Sequence, residues 1–252
     1  MSLKTLKLLS AGALLACTIF ISCTKEINGN SNEGQIALTF DDYNIDNWHT
    51  YIPLLDSLNI KATFYVCRYH ELSPEQKQKL HVLAAHGHEI GFHTTTHPNL
   101  VNVLRTNGMA HVINDEIRKN LALMRQDGFD VKNFAYPYGS QNTQLDCALK
   151  PLFKSLRGVC GKKDWRKGLV NQSGKTQIVY GLHVDENSKV TDEDIIAAID
   201  LAQVNHDCLV MTAHEINSPS YSFYISLRRL KLIAEEVKKR NMKFVTVDQI
   251  SN

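Results

Sequence analysis

From residue 34 onward, short apolar runs alternate with longer stretches in which apolar residues recur every three or four positions. The short runs have the length and the β-branched or aromatic content of buried strands, and the longer stretches have the period of amphipathic helices. The predicted strands are Gln35–Phe40, Lys61–Cys67, His88–Phe92, Asn133–Tyr136, Ser155–Cys160, Ile178–Val184, Cys208–Thr212 and Lys243–Val247.

The stretches between the strands predict helices at 48–58, 73–86, 110–126, 143–154, 191–204 and 221–240. Ser73-Pro74 is typical of an N-cap followed by a first-turn proline. Alternation of strands and helices predicts a parallel sheet with helical crossovers. Seven or eight such units favour an α/β fold, a distorted (β/α)7-8 barrel, with an open doubly wound sheet as the alternative. The first strand meets no GxGxxG loop, which disfavours a dinucleotide site.

The N-terminus has the pattern of a targeting segment. A basic start, Met1–Lys7, precedes an apolar stretch, Leu8–Ile21, that is short for a membrane span and typical of a secretory signal. The following Ser22-Cys23 resembles a bacterial lipobox. We therefore predict a lipoprotein signal peptide at 1–22, lipidation of Cys23, a flexible tether at 23–33 and a folded domain at 34–252. This predicts a lipid-anchored protein of the cell envelope, outside the cytoplasm. An ordinary signal peptide with an incidental cysteine is the alternative.

The charge balance disfavours a polyanionic partner. Removing Lys4 and Lys7 with the leader brings the 28 basic residues level with the 26 acidic ones. A neutral chain without a basic stripe is a poor nucleic-acid binder, so we expect no nucleic-acid partner. The four cysteines of the predicted domain lack CxxC spacing, which disfavours a zinc–thiolate site. Free buried thiols are expected, with a disulfide between the second and third as the alternative; the four are Cys67, Cys147, Cys160 and Cys208.

Polar residues follow several predicted strands, where the reactive groups of such folds lie. Asp41 and Asp42 end the first strand. Two adjacent carboxylates there are costly unless a cation or hydrogen bonds hold them. Neighbouring side chains of an extended chain point apart, so one can bind a metal while the other acts as a base. A solvated turn is the alternative explanation.

Two histidines, His93 and His97, follow the third strand in the sequence GFHTTTHP. A spacing of four places both imidazoles on one face of a helical turn. Together with Asp42 they form the ligand set of many catalytic zinc sites. Because the chain has 11 histidines, a chance pair is the alternative.

Two further strand ends carry candidate groups. Pro137 and Gly139 predict a rigid turn whose backbone N–H can face developing negative charge. His214 follows the strand at 208–212, and an ordinary histidine pKa near 6.5 suits proton donation. A structural turn and a structural histidine are the respective alternatives.

The order of TFDD, HTTTH, FAYPYG and TAH, over about Gly34–Val247, resembles the polysaccharide deacetylases, also called the NodB-homology group or carbohydrate esterase family 4. The resemblance implies a distorted barrel and one divalent metal ion, with Zn²⁺ first and Co²⁺ or Ni²⁺ as alternatives. It implies Asp41 as general base, Asp42, His93 and His97 as metal ligands, His214 as general acid, and the N–H of Tyr138 as oxyanion donor.

The chain also departs from the family pattern. Tyr43 stands where the family often has glycine, which narrows the expected pocket mouth. Ala135 stands where the family often has arginine, and we expect Arg157 of the next strand to replace it in space, with Pro137 supporting the turn. The fourth motif has no clear equivalent; Asp164-Trp165 is a candidate, and a surface loop is the alternative.

The leading hypothesis is a metal-dependent hydrolase that removes N- or O-linked acetyl groups from a cell-envelope or environmental polysaccharide. The expected partners are the acetylated carbohydrate and, through Cys23, the membrane. A small-molecule amide hydrolase and a catalytically silent glycan-binding lipoprotein are the alternatives. The presence of Asp41 and His214 disfavours the silent protein. Aromatic residues such as Tyr43 and Tyr221 are candidate sugar platforms, with ordinary packing as the alternative.

Overall fold

The computed structural model describes residues 33–172 and 176–250. The predicted signal peptide at 1–22, Cys23 and nearly all of the tether lie outside these residues. Within them, no helix combines the length and the apolar character needed to cross a membrane.

Eleven strands belong to the described part of the chain. They are β1 Gln35–Asp42, β2 Ala62–Val66, β3 Glu89–Phe92, β4 Asn133–Ala135, β5 Ser155–Cys160, β6 Leu169–Asn171, β7 Ile178–His183, β8 Asp207–Ala213, β9 Glu215–Ile216, β10 Tyr224–Ile225 and β11 Lys243–Phe244.

Seven parallel strands close into a barrel in the order β1-β2-β3-β4-β5-β7-β8. Closure comes from β1, which pairs with β2 on one side and with β8 on the other, Leu38 lying opposite Met211 in the second pairing. The predicted distorted (β/α) barrel is therefore confirmed with seven strands, and the open sheet is wrong. Because all seven strands run in parallel, their carboxyl ends meet at one mouth.

The predicted eighth strand is only partly correct. Lys243–Phe244 pairs in parallel with the first two residues of β1, and Val247–Ile250 is a helical turn instead of strand. On the other side, β6 pairs antiparallel with the beginning of β8. These two short strands extend the sheet at the end of the barrel opposite the mouth.

The helices surround the barrel. They are α1 Ile45–Thr50, α2 Ile52–Ser57, α3 Pro74–Ala85, α4 Leu100–His111, α5 Lys119–Gln126, α6 Thr143–Leu149, α7 Asp192–Asn205, α8 Leu227–Lys239 and α9 Val247–Ile250. The predicted cap at Ser73 is present: its hydroxyl accepts from the Gln76 N–H, and Gln76 accepts in return from the Ser73 N–H.

The helix predicted to begin at Ala110 begins ten residues earlier. The stretch Leu100–His111 is helical, with a kink where Gly108 has a φ of 81°, and a π-helical turn at Val112–Arg118 joins it to α5. Single π-turns inside helices often occur next to functional sites.

Alternating strand positions divide the core into two layers. Ile36, Leu38 and Phe40 of β1 belong to the larger cluster, which includes residues of the surrounding helices. Ala37 belongs to a smaller cluster drawn largely from the strands, together with Tyr65 of β2. Because alternate residues of a strand face opposite sides of the sheet, Asp41 continues the inward row of Ala37.

The four cysteines of the described residues are free thiols. Three of them are buried as expected, and Cys147 is exposed. The alternative disulfide between Cys147 and Cys160 is therefore absent from this structure.

One close approach inside the barrel requires glycine. A Cβ on Gly181 of β7 would lie 1.7 Å from Thr212 Oγ1 and 3.3 Å from Arg157 Cδ. The lack of a side chain there leaves room for the arginine beside the neighbouring strand.

We expect Gly181→Ala to lower the free energy of unfolding by about 1–3 kcal/mol, the usual cost of overpacking. Gly161→Ala is the matched control, because a Cβ there would meet nothing within 4 Å. Urea denaturation of both variants measures the difference. Equal midpoints for the two variants would contradict the close approach of β7 to Thr212.

Candidate active site

The mouth of the barrel contains a pocket of about 470 Å³. A volume of this size is typical of a small-molecule site. The predicted catalytic residues and metal ligands line it, whereas the predicted supporting residues Arg157 and Pro137 do not: the lining set is Asp41, Asp42, His93, His97, Tyr138 and His214. Residues from segments that are far apart in the chain thus reach one cavity, as expected where parallel strands end.

Asp42 is the last residue of β1 and has a φ of 88°. This left-handed conformation interrupts the alternation of the strand, so Asp42 and the neighbouring Asp41 line the same pocket. Burial pushes the pKa of the Asp42 carboxyl upward, but the contact with His97 and the charge of His93 outweigh burial and hold that pKa well below its usual range. Asp42 is therefore a carboxylate at neutral pH.

His93 is fixed by a backbone acceptor. Its Nδ1 donates to the carbonyl of Ala135 at 2.8 Å, which leaves Nε2 without a proton in the neutral ring and aimed at the pocket. Burial lowers the pKa of His93 to about 4, even though Asp41 opposes the shift. The side chain is consequently a neutral imidazole at pH 7, the form that binds metals.

His97 is brought to the same place by a bent loop. Thr94 and His97 have φ values of 72° and 62°, and the His97 N–H donates to Thr94 Oγ1 at 3.0 Å. The two histidines lie close together as predicted, but the segment between them is a bent loop and the predicted helical turn is wrong. The rings of His93 and His97 lie 4.9 Å apart between centroids.

Glu116 of the π-helical turn holds this loop from behind. Its carboxylate accepts from the Thr96 hydroxyl at 2.7 Å and from the Thr96 N–H at 3.0 Å. Its backbone carbonyl accepts from the Thr95 N–H at 2.9 Å. Glu116 is 5% exposed, so these bonds are shielded from water. The threonines between the two histidines therefore fix the loop in its bent conformation.

The arrangement of Asp42, His93 and His97 fits a divalent metal ion. Asp42 Oδ1 lies 3.0 Å from His97 Nε2 and 3.7 Å from His93 Nε2, and one donor atom from each residue lies within 4.8 Å of the others. Among the described residues Asp42 Oδ1 is buried without an aligned hydrogen-bond donor. Two imidazoles and a carboxylate in this geometry suit Zn²⁺, Co²⁺ or Ni²⁺.

Asp41 forms a buried ion pair with Arg157. One guanidinium nitrogen of Arg157 contacts both carboxylate oxygens, and the arginine side chain is fully buried. Arg157 lies directly opposite Ala135 in the β4–β5 pairing, beside the position where the family often has arginine. Its guanidinium also lies 5.1 Å from the centroid of the Tyr65 ring. The pair fixes the orientation of the Asp41 carboxylate.

His214 is paired with Asp185, a residue that the sequence did not single out. The Asp185 carboxylate accepts from His214 Nδ1 at 2.5 Å and from the His214 N–H at 3.1 Å. Burial alone would lower the pKa of His214, but the hydrogen bond and charge of Asp185 raise it to about 9. The remaining nitrogen, Nε2, is the one that can donate a proton to a bound molecule.

His183 contacts the same oxygen of Asp185, from Nε2 at 2.9 Å. His183, Asp185 and His214 are thus a second group with metal-ligand chemistry. Asp185 Oδ2 takes part in aligned hydrogen bonds with both histidines, whereas Asp42 Oδ1 is buried without an aligned donor among the described residues. We therefore interpret the second group as a hydrogen-bonded support for His214.

Tyr138 occupies the tight turn that follows β4. It has a φ of 60°, and the hydrogen bonds of the turn use the N–H groups of Gly139 and Ser140, whose acceptors are Tyr136 and Pro137. A Cβ on Gly139 would lie 2.8 Å from Val159, so glycine lets the turn lie against β5. The Tyr138 ring lies 4.8 Å from that of His97, at the edge of the pocket.

Comparison with known proteins decides the family. The polysaccharide deacetylase family profile matches residues 28–152. The chain belongs to the polysaccharide deacetylase family. A peptidoglycan-N-acetylglucosamine deacetylase of Bacillus cereus is 30% identical over 142 residues, which cover 55% of this chain and 49% of that protein. A gellan lyase of a Bacillus species is 33% identical over 108 residues, 42% of this chain and 4% of that enzyme. The match thus spans at most about half the length of these relatives.

Solved structures of polysaccharide deacetylases share the fold. A chitin deacetylase of the fungus Colletotrichum lindemuthianum superposes with a TM-score of 0.60 at 20% identity, covering 87% of this chain and 88% of its own. The esterase domain of a xylanase from the hindgut metagenome of Trinervitermes trinervoides gives 0.58 at 21% identity, covering 86% and 89%. At these identities the likeness establishes the barrel alone.

Sequence reasoning missed two residues that position the site, Asp185 and Glu116. Asp185 directly follows a predicted strand, a signal that could have identified it. Glu116 lies inside a helical pattern, where a charged residue ordinarily indicates a solvated face. The candidate Asp164-Trp165 does not reach the pocket: Asp164 accepts from the Gly161 N–H at 2.9 Å and pairs with Lys167.

We expect Asp185→Asn to lower the pKa of His214 from about 9, because burial is then opposed only by the weaker charge effects of Asp41 and Asp42. A raised pKa contributes stability below pH 6.5 that is lost as the pH rises through 9. The stability gap between wild type and variant should therefore be widest near pH 6 and narrow towards pH 10.

Histidine NMR titration and urea denaturation across this pH range measure both effects. Asp164→Asn is the matched control and should leave the titration of His214 unchanged, because Asp164 lies outside the pocket. A His214 that titrates alike in wild type and Asp185→Asn would disprove the pairing.

Proposed function

We propose that this polysaccharide deacetylase domain is a metal-dependent hydrolase that removes acetyl groups from a carbohydrate. The observation that carries the proposal is the convergence of the Asp42, His93 and His97 donors beside the Asp41–Arg157 pair at the pocket that His214 also lines. In the proposed roles Asp41 is the general base, His214 the general acid and the Tyr138 N–H an oxyanion donor.

The metal ligands would be Asp42, His93 and His97. A divalent ion held there supplies Lewis acidity, which polarises an acyl oxygen and makes a water molecule more acidic. The neutral state of His93 and the ionised state of Asp42 support this assignment, since metal ligands must be deprotonated.

Asp41 would accept the proton of the attacking water. The contact with Arg157 keeps the carboxylate in one orientation, with its oxygens towards the barrel interior. The Tyr138 N–H would donate a hydrogen bond to the acyl oxygen as negative charge develops there. One such donor typically increases the rate by about 10²–10³-fold. Because Pro137 fixes the turn, the Tyr138 N–H would not have to change its orientation during the reaction.

His214 would protonate the leaving nitrogen or oxygen from Nε2. Asp185 binds Nδ1 and keeps the ring oriented, and the pKa of about 9 makes His214 protonated at neutral pH. Next to a bound dication that pKa would fall, which brings the acid closer to the range in which proton transfer is efficient.

Acetylated carbohydrate is the substrate class that the comparisons support. The Bacillus cereus relative is named for N-acetylglucosamine in peptidoglycan, and the Colletotrichum lindemuthianum structure is a chitin deacetylase. Exposed aromatic rings at the pocket mouth, among them Tyr43 and Tyr221, suit contact with sugar rings. We propose a cell-envelope or environmental polysaccharide with N- or O-acetyl groups.

We expect the purified protein to release acetate from acetylated glycans, to lose this activity with chelator and to regain it with Zn²⁺. Asp41→Asn should lower kcat by about 10²–10⁴, the usual contribution of a general base. Coupled detection of acetate measures both. Asp130→Asn, an exposed aspartate beside Lys132, is the matched control and should retain full activity.

A protein that binds one metal ion per chain but releases no acetate from any glycan would contradict the proposal. Turnover of small amides in that case would favour the alternative amide hydrolase. Glycan binding without any turnover would favour the silent lipoprotein.

We also propose that Cys23 is lipidated and anchors the domain outside the cytoplasm. The support is the resemblance of Phe20-Ile21-Ser22-Cys23 to a lipobox. We expect Cys23→Ala to abolish incorporation of a labelled fatty acid into the protein, while Cys17→Ala, inside the predicted leader, leaves the incorporation unchanged. Label that persists in Cys23→Ala would reject lipidation at this residue.

A further inference from the structure

Aromatic side chains are concentrated at the pocket mouth. Five large hydrophobic side chains of the described residues are exposed, and four of them line this pocket: Tyr43, Tyr138, Tyr221 and Phe223. Exposed aromatic surface in one patch generally marks a binding site. The patch extends past the reacting groups, so it can contact more of a substrate than its acetyl group.

Arg68 stands beside this aromatic patch. The Cys67 N–H donates to the Asp42 carbonyl at 2.9 Å, so the residue after Cys67 lies next to the metal-binding end of β1. The Arg68 guanidinium carbon lies 5.4 Å from the centroid of the Tyr43 ring. A φ of 52° turns the chain at Arg68, and the side chain lines the pocket. Tyr43 and Arg68 therefore form one wall of the mouth.

The guanidinium has unused hydrogen-bonding capacity. Arg68 Nε is buried without a hydrogen-bond partner among the described residues. Arg68 Nη1 lies 3.6 Å from Glu71 Oε2, beyond hydrogen-bond distance, and both side chains are exposed to solvent. An exposed pair at this distance contributes little. Arg68 can therefore exchange this contact for a better-placed anion.

Arg68 is not needed to balance the charges of the reacting groups. Arg157 is already paired with Asp41, and Asp42 faces His93 and His97 in the arrangement that fits a metal ion. Among the described residues that line the pocket, Arg68 is the one lysine or arginine. A neutral acetylated sugar offers a guanidinium no charge to pair with, whereas a carboxylate can accept two parallel hydrogen bonds from it.

We propose that Tyr43 and Arg68 form a subsite for a carboxylate-bearing sugar unit next to the acetylated group, with the ring against Tyr43 and the carboxylate on Arg68. The inference rests on the proposed deacetylase function and narrows its substrate to acidic glycans. The carboxylate can come from a uronic acid or from the lactyl ether of an amino sugar, and both offer the same group to the arginine.

The test uses two pairs of acetylated oligosaccharides, one containing a uronic acid and one containing an amino sugar with a lactyl ether. Each is compared with its carboxyl-reduced counterpart, in which the carboxylate is a primary alcohol. KM is measured with the active protein loaded with zinc. The dissociation constant is measured calorimetrically with chelator-treated protein, in which we expect no turnover, so that binding is tested independently of the reaction.

For at least one pair, we expect the acidic sugar to have a KM and a dissociation constant about five- to ten-fold lower than its reduced counterpart, as for a charge-assisted contact at a partly exposed site. Arg68→Met should bring the ratio close to one, and Arg68→Lys should retain part of it. Arg166→Met is the matched control: this arginine lies over Trp165 at 4.6 Å, outside the pocket, and its loss should leave the ratio unchanged.

If the protein with Tyr43 and Arg68 unchanged binds the acidic and the reduced sugar equally in both pairs of oligosaccharides, the subsite is overturned. The proposed deacetylase function would be unaffected by that result. A ratio that survives in Arg68→Met would also overturn the subsite. Preferential binding of an acidic sugar without acetate release from any substrate would instead retain the subsite and reject the proposed deacetylase.

Discussion

The buried ion pair between Asp41 and Arg157 is the interaction on which the mouth of the barrel depends. Burying an unpaired carboxylate inside a barrel costs several kcal/mol of folding free energy, and an ion pair offsets this cost. Arg157 reaches it across the barrel interior, and Gly181 leaves the space for that arginine. Because Asp41 is paired with Arg157 and held in place, the neighbouring Asp42 can bring a second carboxylate to the same mouth. Loss of either partner would leave an uncompensated buried charge, so the pair is as important for the fold as for the proposed chemistry.

The backbone of the site is shaped by residues in left-handed conformations. Asp42, Thr94, His97 and Tyr138 all have positive φ values without being glycine. Such conformations cost about 1–3 kcal/mol at the sterically worst positions and persist only where neighbouring contacts fix them. Glu116 supplies those contacts for the histidine loop through the two threonines, and Pro137 precedes the turned residue in the loop after β4. The geometry of the donors therefore depends on groups that never face the pocket.

The sequence predicted the barrel strands and the residues at their ends because both signals are local. An apolar run and the polar residues that follow it can be recognised without knowing their neighbours. The contacts of Asp185 and Glu116 are different, since each depends on a partner distant in the chain, His214 at 29 residues and Thr96 at 20. The helical turn assumed for the two histidines was wrong because their spacing also fits a bent loop. The final strand is shorter than predicted because an apolar run does not reveal how many of its residues pair with a neighbouring strand.

The closure of the barrel through β1 and β8 has a consequence for the order of events in folding. Thr39 Oγ1 donates to the Met211 carbonyl across 172 residues of sequence, and the same seam brings the two aspartates of β1 towards the loop of His214. Closing so long a loop is entropically costly and contributes to slow folding. A chain interrupted before β8 would hold all three donors for a metal but lack the acid. The proposed acid therefore joins the metal-binding residues only through the pairing of β1 with β8 that closes the barrel.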